Sequence, residues 1–410
     1  MLQNTISELF KTQQLPMVEP PEIQRANRAN IKLLPGFATV LTGIRRCGKS
    51  TLQAQLMRDF PGAFYCNFEN PGLFGMDERD CPAFLAALDA VTPPSAAVFL
   101  DEVQEISGWQ RLVRALLDRG RMTCVTGSNA SLLGRELGAK LTGRHLSHRL
   151  QPFCYSEYLA FTGRTRGRDS LLAWLDDGGF PAYLRTRDAT LLWELLRDVV
   201  QRDVVSRHNL REAAHVMNLA LFLYAHTGQP VSFQSLAKNL AIPGATQVSA
   251  AVEFLRDAYL LLLVPKFSQS FKQRVVAPAK YYAIDNGLRR ACSPQHAPDV
   301  GRRLENAVAL ELFRLGHAPA YAAEKDAWEC DFVTAGGGAV TASGGMNSGA
   351  VVQVCLELND GNFARETRGL LAAATLARTD HAFILTLDQR DTALADGRNI
   401  KVIPAWEWLG

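Results

Sequence analysis

Apolar and polar positions along the chain fall into runs whose period changes from segment to segment. Residues 37–41 form a short apolar run, followed by a glycine-bearing turn and, over 49–58, apolar residues at helical spacing. That order reads as strand, loop, helix. A second buried-type strand over 96–100 ends in Asp101-Glu102, and a third over 122–126 ends in Gly127-Ser128-Asn129. Alternation of strand and helix patterns predicts a parallel α/β sheet.

The stretch GRTRGRD at 163–169 is poor in apolar side chains and rich in turn formers and positive charge, which predicts a boundary. Helical patterns over 171–212 predict a small lid or connector. Three helical segments between 213 and 267, a tight Ile242-Pro243-Gly244 turn and an apolar strand over 261–264 predict a winged helix. From Tyr281 onward, helices near 304–315 and 363–377 alternate with strands near 328–334, 351–358 and 381–387, a second α/β unit. Residues 335–350, low in complexity, read as an insertion between two strands. The resulting division is 1–165, 166–267 and 268–410.

Composition agrees with several domains: 410 residues exceed one domain of about 100–200. With 47% hydrophobic and 21% charged residues, the chain can bury a sizeable core. A net charge of +3, from 44 basic and 41 acidic residues, excludes a chain that coats nucleic acid through its overall field, while leaving a local basic surface open. The eight cysteines lack the paired spacing of a zinc site and read as buried, reduced thiols. No apolar run approaches the ~18 residues of a membrane helix, and the N-terminal residues lack a basic region followed by an apolar stretch. The expectation is a cytoplasmic chain without a membrane partner.

The string GIRRCGKS over 43–50 matches G-x-x-x-x-G-K-[ST] between a predicted strand and a predicted helix. Such a loop turns successive backbone N–H groups toward phosphates, and the helix that follows adds its positive dipole end. Gly43, Ile44, Arg45, Arg46, Cys47, Gly48, Lys49, Ser50 and Thr51 are therefore the candidate cradle for ATP with Mg²⁺. In this reading Lys49 reaches the β- and γ-phosphates, Ser50 ligates the metal and Asp101 holds it through water. Glu102 is the candidate that orients or deprotonates the attacking water. Asn129 is either a polar sensor or a plain turn former. Arg144, in LTGRH, is a candidate for charge developing on the leaving γ-phosphate, within one subunit or across an interface, in competition with Arg45, Arg46 and others. His145 and His148 could share a helical face, with no third ligand nearby. The absence of Asn-Lys-x-Asp tilts the base toward adenine.

The succession LTGIRRCGKSTL, VFLDEVQEISGWQ, VTGSNASLL, LTGRH, LQPFCYSEYLAF and GGFPAYL, with KYYAIDNGLRR, GRRLENAVALEL, ECDFV and VVQVC further on, resembles prokaryotic AAA-type ATP-binding proteins that end in an uncharacterised domain. The resemblance runs from about Asn30 to the C-terminal region. It implies an AAA-like core, a winged-helix module and a C-terminal fold similar to restriction-endonuclease-like nucleases, and it too points to Arg144 as the charged residue after the sensor strand.

Nucleases of that fold gather a metal with an acidic residue on a first helix, an Asp on a strand and Glu-x-Lys on the next. Glu305 and Asp331 match the first two positions, whereas Gln353-Val354-Cys355 stands at the third. Gln353 retains an oxygen, but Cys355 cannot act as the cation. Glu329 and Glu357, two residues away, could enlarge the acidic group, and Lys325 is a candidate replacement cation. The expectation is a degenerate centre of Glu305, Asp331 and Gln353 that does not cut DNA. For DNA contact, the third helix at 247–256 and Lys266, Lys272 and Arg274 near the wing are the candidates, against a protein-docking role.

The leading expectation is an ATPase whose nucleotide state rearranges the other domains, in a DNA-linked or defence setting. An ATP-dependent metal nuclease and a nucleotide-held signalling switch with a protein partner are the alternatives.

Overall fold

Strand β1 (Ala38–Thr42) is buried along its whole length, and so are β3 (Val98–Asp101) and β4 (Thr123–Gly127). Continuous burial is what a parallel strand covered on both faces requires, and it explains apolar runs in place of alternation. The computed structural model describes residues 6, 8, 10, 22–128, 143–268, 270, 272, 276–292, 299–334 and 349–410. Asn129, Arg274 and nearly all of the expected insertion at 335–350 lie outside the described residues.

The chain forms two compact units, residues 1–151 with 257–259, and residues 152–256 with 260–410. In the first, β2 (Phe64–Asn67) and β5 (His145–Arg149) complete a five-stranded sheet of order β2-β3-β4-β1-β5, parallel throughout. The neighbours of β1 come from later in the chain, so the carboxyl end of β1 is where an α/β sheet opens a crevice for a ligand. Helices Cys81–Val91 and Trp109–Asp118 bury Phe84, Leu88, Leu112 and Leu116 in a core shared with Val40, Val98 and Val125. Each such side chain stabilises the unit by about 1.5–3 kcal/mol. The edge strand β5, with the polar sequence HLSHR and no fully buried residue, left no apolar signal to find. As a strand it sends His145 and His148, three residues apart, to opposite faces, which corrects the shared helical face.

In the second unit, helices Ala213–Ala225, Phe233–Asn239 and Ala245–Asp257 precede or interleave with an antiparallel sheet of β6 (Pro230–Val231), β7 (Leu261–Val264) and β8 (Ala279–Ala283), ordered β6-β8-β7. Helix Val300–Arg314 follows, then β9 (Ala320–Glu324), β10 (Trp328–Thr334) and β11 (Ala350–Val354) as an antiparallel meander. Helix Phe363–Ala377 leads to β12 (Ala382–Thr386), parallel to β11. The hairpin β13 (Asp391–Ala395) and β14 (Arg398–Pro404) completes a six-stranded sheet of order β13-β14-β12-β11-β10-β9. Strand β11 ends at Val354, not near 358, so Glu357 lies beyond it, exposed.

Packing does not separate the expected lid from the C-terminal unit. The Gly179 amide donates to Asp285 Oδ2 at 2.6 Å, the Leu288 amide donates to Asp285 Oδ1 at 2.7 Å, and Arg290 donates to the Asp176 carbonyl at 2.9 Å. Gly178, at φ +71°, leaves no room for a side chain: a Cβ there would lie 2.3 Å from Asp285 Oδ1. GGF and IDNG thus meet in one core, a contact that composition around 165 and 267 could not reveal. Among the described residues, no helix is long and apolar enough to cross a membrane.

Candidate functional site

The loop after β1 is shaped by a close backbone approach. At Gly43, φ is +149° and a Cβ would lie 2.1 Å from the Leu150 carbonyl oxygen, so only glycine passes. Beneath the loop, buried Arg25 donates to the Cys47 carbonyl at 2.8 Å and to the Gln151 carbonyl at 2.6 Å. Arg45 pairs with Glu69 at 3.1 Å. Helix Lys49–Met57 then starts from Gly48, itself at φ +101°, so the loop passes directly into a helix N-terminus.

Lys49 is 4% exposed and donates to the Gly43 and Ile44 carbonyls at 3.2 and 3.3 Å. Its ammonium lies 3.4 Å from Glu102 Oε1. Burial works against the charge, but Glu102 and Asp101 outweigh it and hold the Lys49 pKa above its ordinary value. For Glu102, burial is likewise opposed by Lys49 and a hydrogen bond from Gln104, and the carboxyl ends below its usual range.

Two side chains that sequence reasoning missed hold the acidic pair. Tyr65 donates to Asp101 Oδ2 at 2.9 Å, and the Thr126 hydroxyl donates to Asp101 Oδ1 while accepting from the Glu102 amide at 2.9 Å. Burial, then Asp101 beside it, raises the Tyr65 phenol and keeps it a donor. Glu102 itself adopts φ +50°, a left-handed turn that aims its carboxylate back at Lys49, and Gln104 donates to its other oxygen at 2.5 Å. Left-handed backbone at a non-glycine residue costs about 1–3 kcal/mol and is found where surrounding contacts over-determine it.

Tyr259 was also missed. It belongs to the first unit, shares a hydrogen bond with the Thr42 side chain, and lies beneath Arg149, whose guanidinium carbon is 4.8 Å from the ring centroid. No local pattern links position 259 to a loop more than 200 residues earlier.

Lys49, Asp101 and Glu102 are thus brought together, with Ser50 and Thr51 opening the helix beside them. Arg144 is not: it donates to Asp118 at 2.7 Å and to the Gly36 carbonyl at 3.0 Å, and its own carbonyl accepts from Ala38. Those contacts put it at the start of β1, the opposite end from the loop. On helix Ala245–Asp257, the third of the expected winged helix, Arg256 is committed to Glu253 at 2.5 Å.

In the second unit, Glu305 and Asp331 do converge, but on Lys280 of β8 and not on Lys325, which is exposed in the β9–β10 turn. Gln353 is close by, its amide oxygen accepting from the Asp331 amide at 3.3 Å and its nitrogen donating to Glu366 at 2.8 Å.

Residues 36–159 match the AAA domain family, and residues 168–299 match a domain of unknown function (DUF8612). The chain is similar to an uncharacterized protein of Methanocaldococcus jannaschii, 28% identical over 409 aligned positions that cover 92% of this chain and 89% of the relative. It is also similar to an uncharacterized protein of Haemophilus influenzae, 28% identical over 320 positions, covering 72% and 79%. A solved signal transduction ATPase with numerous domains, carrying a tetratricopeptide repeat sensor, from Pyrococcus horikoshii aligns with a TM-score of 0.28 and 14% identity over 73% of this chain. This chain spans 46% of that one, and the likeness is too slight to bear on function. By its matched residues and its own sheet order and loop, the N-terminal part of the chain has the parallel-sheet α/β fold of a P-loop NTPase and is similar to AAA domains.

Proposed function

We propose that the protein is an ATPase, with ATP held on the loop from Gly43 to Thr51 and hydrolysed beside Asp101 and Glu102. The observation that supports this most is the buried Lys49 ammonium, held at the loop by two carbonyls and by Glu102 at 3.4 Å. A buried lysine with no role toward an anion would be a costly choice, since desolvating an ammonium is expensive. Here phosphate oxygens can take the place of the loop carbonyls.

The residues present also fit Mg²⁺. Ser50 and Asp101 would hold it, Asp101 keeping free lone pairs on oxygens that each accept one hydroxyl proton. When bound, the metal supplies positive charge to the phosphate oxygens. Glu102, kept ionised by Lys49 and aimed by its left-handed turn, is the group that orients and accepts a proton from the attacking water. Completing the site with Arg144 would require a second copy of the chain, because within one chain its guanidinium is held at the far end of β1.

Phosphate release by wild type, Lys49→Ala and Glu102→Gln, with and without duplex DNA, tests this. Steady release abolished by Lys49→Ala supports the ATPase; tight nucleotide binding with no release supports the signalling switch instead.

A DNA-linked role is a second reading, favoured by the order helix, strand, helix, helix, hairpin over 213–283, which supports a winged helix. Because Arg256 is already paired with Glu253, phosphate contacts would fall to Lys266 and Lys272. Retention of duplex at low salt, lost on Lys266→Glu with Lys272→Glu, is the expected result; no retention at any ionic strength ends this reading. The order helix, three-stranded meander, helix, parallel strand over 300–386 likewise supports the restriction-endonuclease-like reading of the C-terminal part.

A further inference from the structure

Lys280 lies on β8, the middle strand of its sheet, paired to Pro230 on one side and Val264 on the other. Its side chain is 1% exposed. The ammonium nitrogen is 3.2 Å from Glu305 Oε1, 2.6 Å from Glu329 Oε1 and 3.5 Å from Asp331 Oδ1, and the Tyr321 ring covers it at 5.4 Å. Tyr282, two residues on and so on the same strand face, donates to Glu305 Oε1 at 2.6 Å. Three carboxylates from a helix and a strand therefore converge on one cation supplied by another sheet.

A divalent metal is what the resemblance to nucleases would put among these carboxylates, and the residues present do not fit one. Mg²⁺ needs oxygens at about 2.1 Å in near-octahedral array, and the space between these oxygens is filled by the lysine nitrogen. Glu305 Oε1 already accepts from both Tyr282 and Lys280, and Asp331 Oδ2 accepts from the Val354 amide at 2.9 Å. Gln353, the expected third ligand, is tied into the same network, its oxygen accepting from the Asp331 amide and its nitrogen donating to Glu366. Lys280 is enclosed, its side chain 1% exposed on a strand paired along both edges. Among the described residues, no group of three or more His, Cys, Asp or Glu could hold a metal ion.

We propose that the Lys280 ammonium is the resident cation of this centre, standing where a divalent metal would otherwise sit, so that the centre ties β8 to β10 and to helix Val300–Arg314 and is closed to metal. Burial, then Glu305 beside it, raises the Asp331 carboxyl, while Glu305, Asp331 and Glu329 outweigh burial at Lys280 and hold it charged. The inference is independent of the nucleotide reading, since it involves none of the loop residues.

Mn²⁺ binding measured by electron paramagnetic resonance on the full chain without nucleotide tests it. Wild type is expected to bind no stoichiometric Mn²⁺ that depends on Asp331. Lys280→Ala vacates the position and is expected to gain one Mn²⁺ per chain, lost again in Lys280→Ala with Asp331→Asn, and to gain thermal stability on Mn²⁺ addition where wild type does not. A folded Lys280→Ala that takes no Mn²⁺ overturns the proposal. So does wild type that binds one Mn²⁺ per chain and loses it on Asp331→Asn, or that cuts DNA with Mn²⁺ in a manner abolished by both Lys280→Ala and Asp331→Asn. If Lys280→Ala does not fold, Lys280→Arg keeps a cation at the position; it is expected to fold and exclude Mn²⁺, and Asp331-dependent binding by it overturns the proposal.

Discussion

The Lys49 ammonium and the Glu102 carboxylate face each other at 3.4 Å in the first unit, both nearly closed to solvent. The pair sets two different consequences for its two members. Lys49→Ala removes the cation that phosphates would meet, and nucleotide affinity is expected to fall at least about tenfold. Glu102→Gln keeps the shape and frees Lys49, so binding is expected to be retained or tightened while hydrolysis slows about 100-fold, the scale of a general base. Fluorescent-nucleotide titration and single-turnover hydrolysis separate the two; equal hydrolysis by wild type and Glu102→Gln would remove Glu102 from the chemistry.

Thr126 serves Asp101 and Glu102 with one hydroxyl. Thr126→Val, nearly isosteric, leaves a buried acceptor and a buried amide without their partner, at a cost of about 1–3 kcal/mol. Hydrolysis is expected to fall about tenfold with affinity for ATP little changed, and Thr126→Ser is expected to restore most of it. A loss in affinity alone would point to a different role.

Gly43→Ala tests the loop's backbone. The new methyl would meet the Leu150 carbonyl at 2.1 Å in a conformation that side chains rarely adopt. Loss of nucleotide binding together with about 1–3 kcal/mol of stability is expected, read by titration and by denaturant unfolding. Unchanged binding would mean that the loop can relax away from Leu150.

Asp285 gives a pH signature. Burial pushes its carboxyl up to about 6, partly offset by hydrogen bonds from the Leu288 and Gly179 amides. With a folded pKa above the unfolded one, the native state binds the extra proton, so this contribution is present below about pH 4 and lost as pH rises through about 6. Relative to Asp285→Asn, wild type is expected to lose roughly 3 kcal/mol of stability over that window. Parallel urea unfolding of the two proteins at pH 4, 5, 6 and 7 checks it; a constant difference would show that Asp285 keeps an ordinary titration.

The loop and the acidic strand end were legible because their chemistry is local: glycines, lysine and hydroxyl are adjacent in sequence, and an apolar strand delivers Asp101 and Glu102 at its tip. What holds them was not legible. Tyr65, Thr126 and Arg25 come from separate segments and carry no periodic signal, and the edge strand β5 is too polar to be read as a strand. Arg144 was placed from order along the chain, whereas parallel pairing of β1 with β5 sends it to the wrong end of the sheet for catalysis in the same chain. The same limit applied at Lys280: the fold brings a lysine from a different sheet to Glu305 and Asp331, while proximity in sequence pointed to Lys325.

The inclusion of residues 257–259 in the first unit makes the unit that carries the proposed nucleotide loop discontinuous along the gene. A polypeptide stopped at residue 151 would keep the loop, the acidic pair and all five strands, yet lack the ring that Arg149 covers and the hydroxyl that meets Thr42. Weak nucleotide binding by such a fragment would therefore say nothing against Lys49 or Glu102, and dissection of this protein by truncation would discard part of the first unit along with the segments it means to remove.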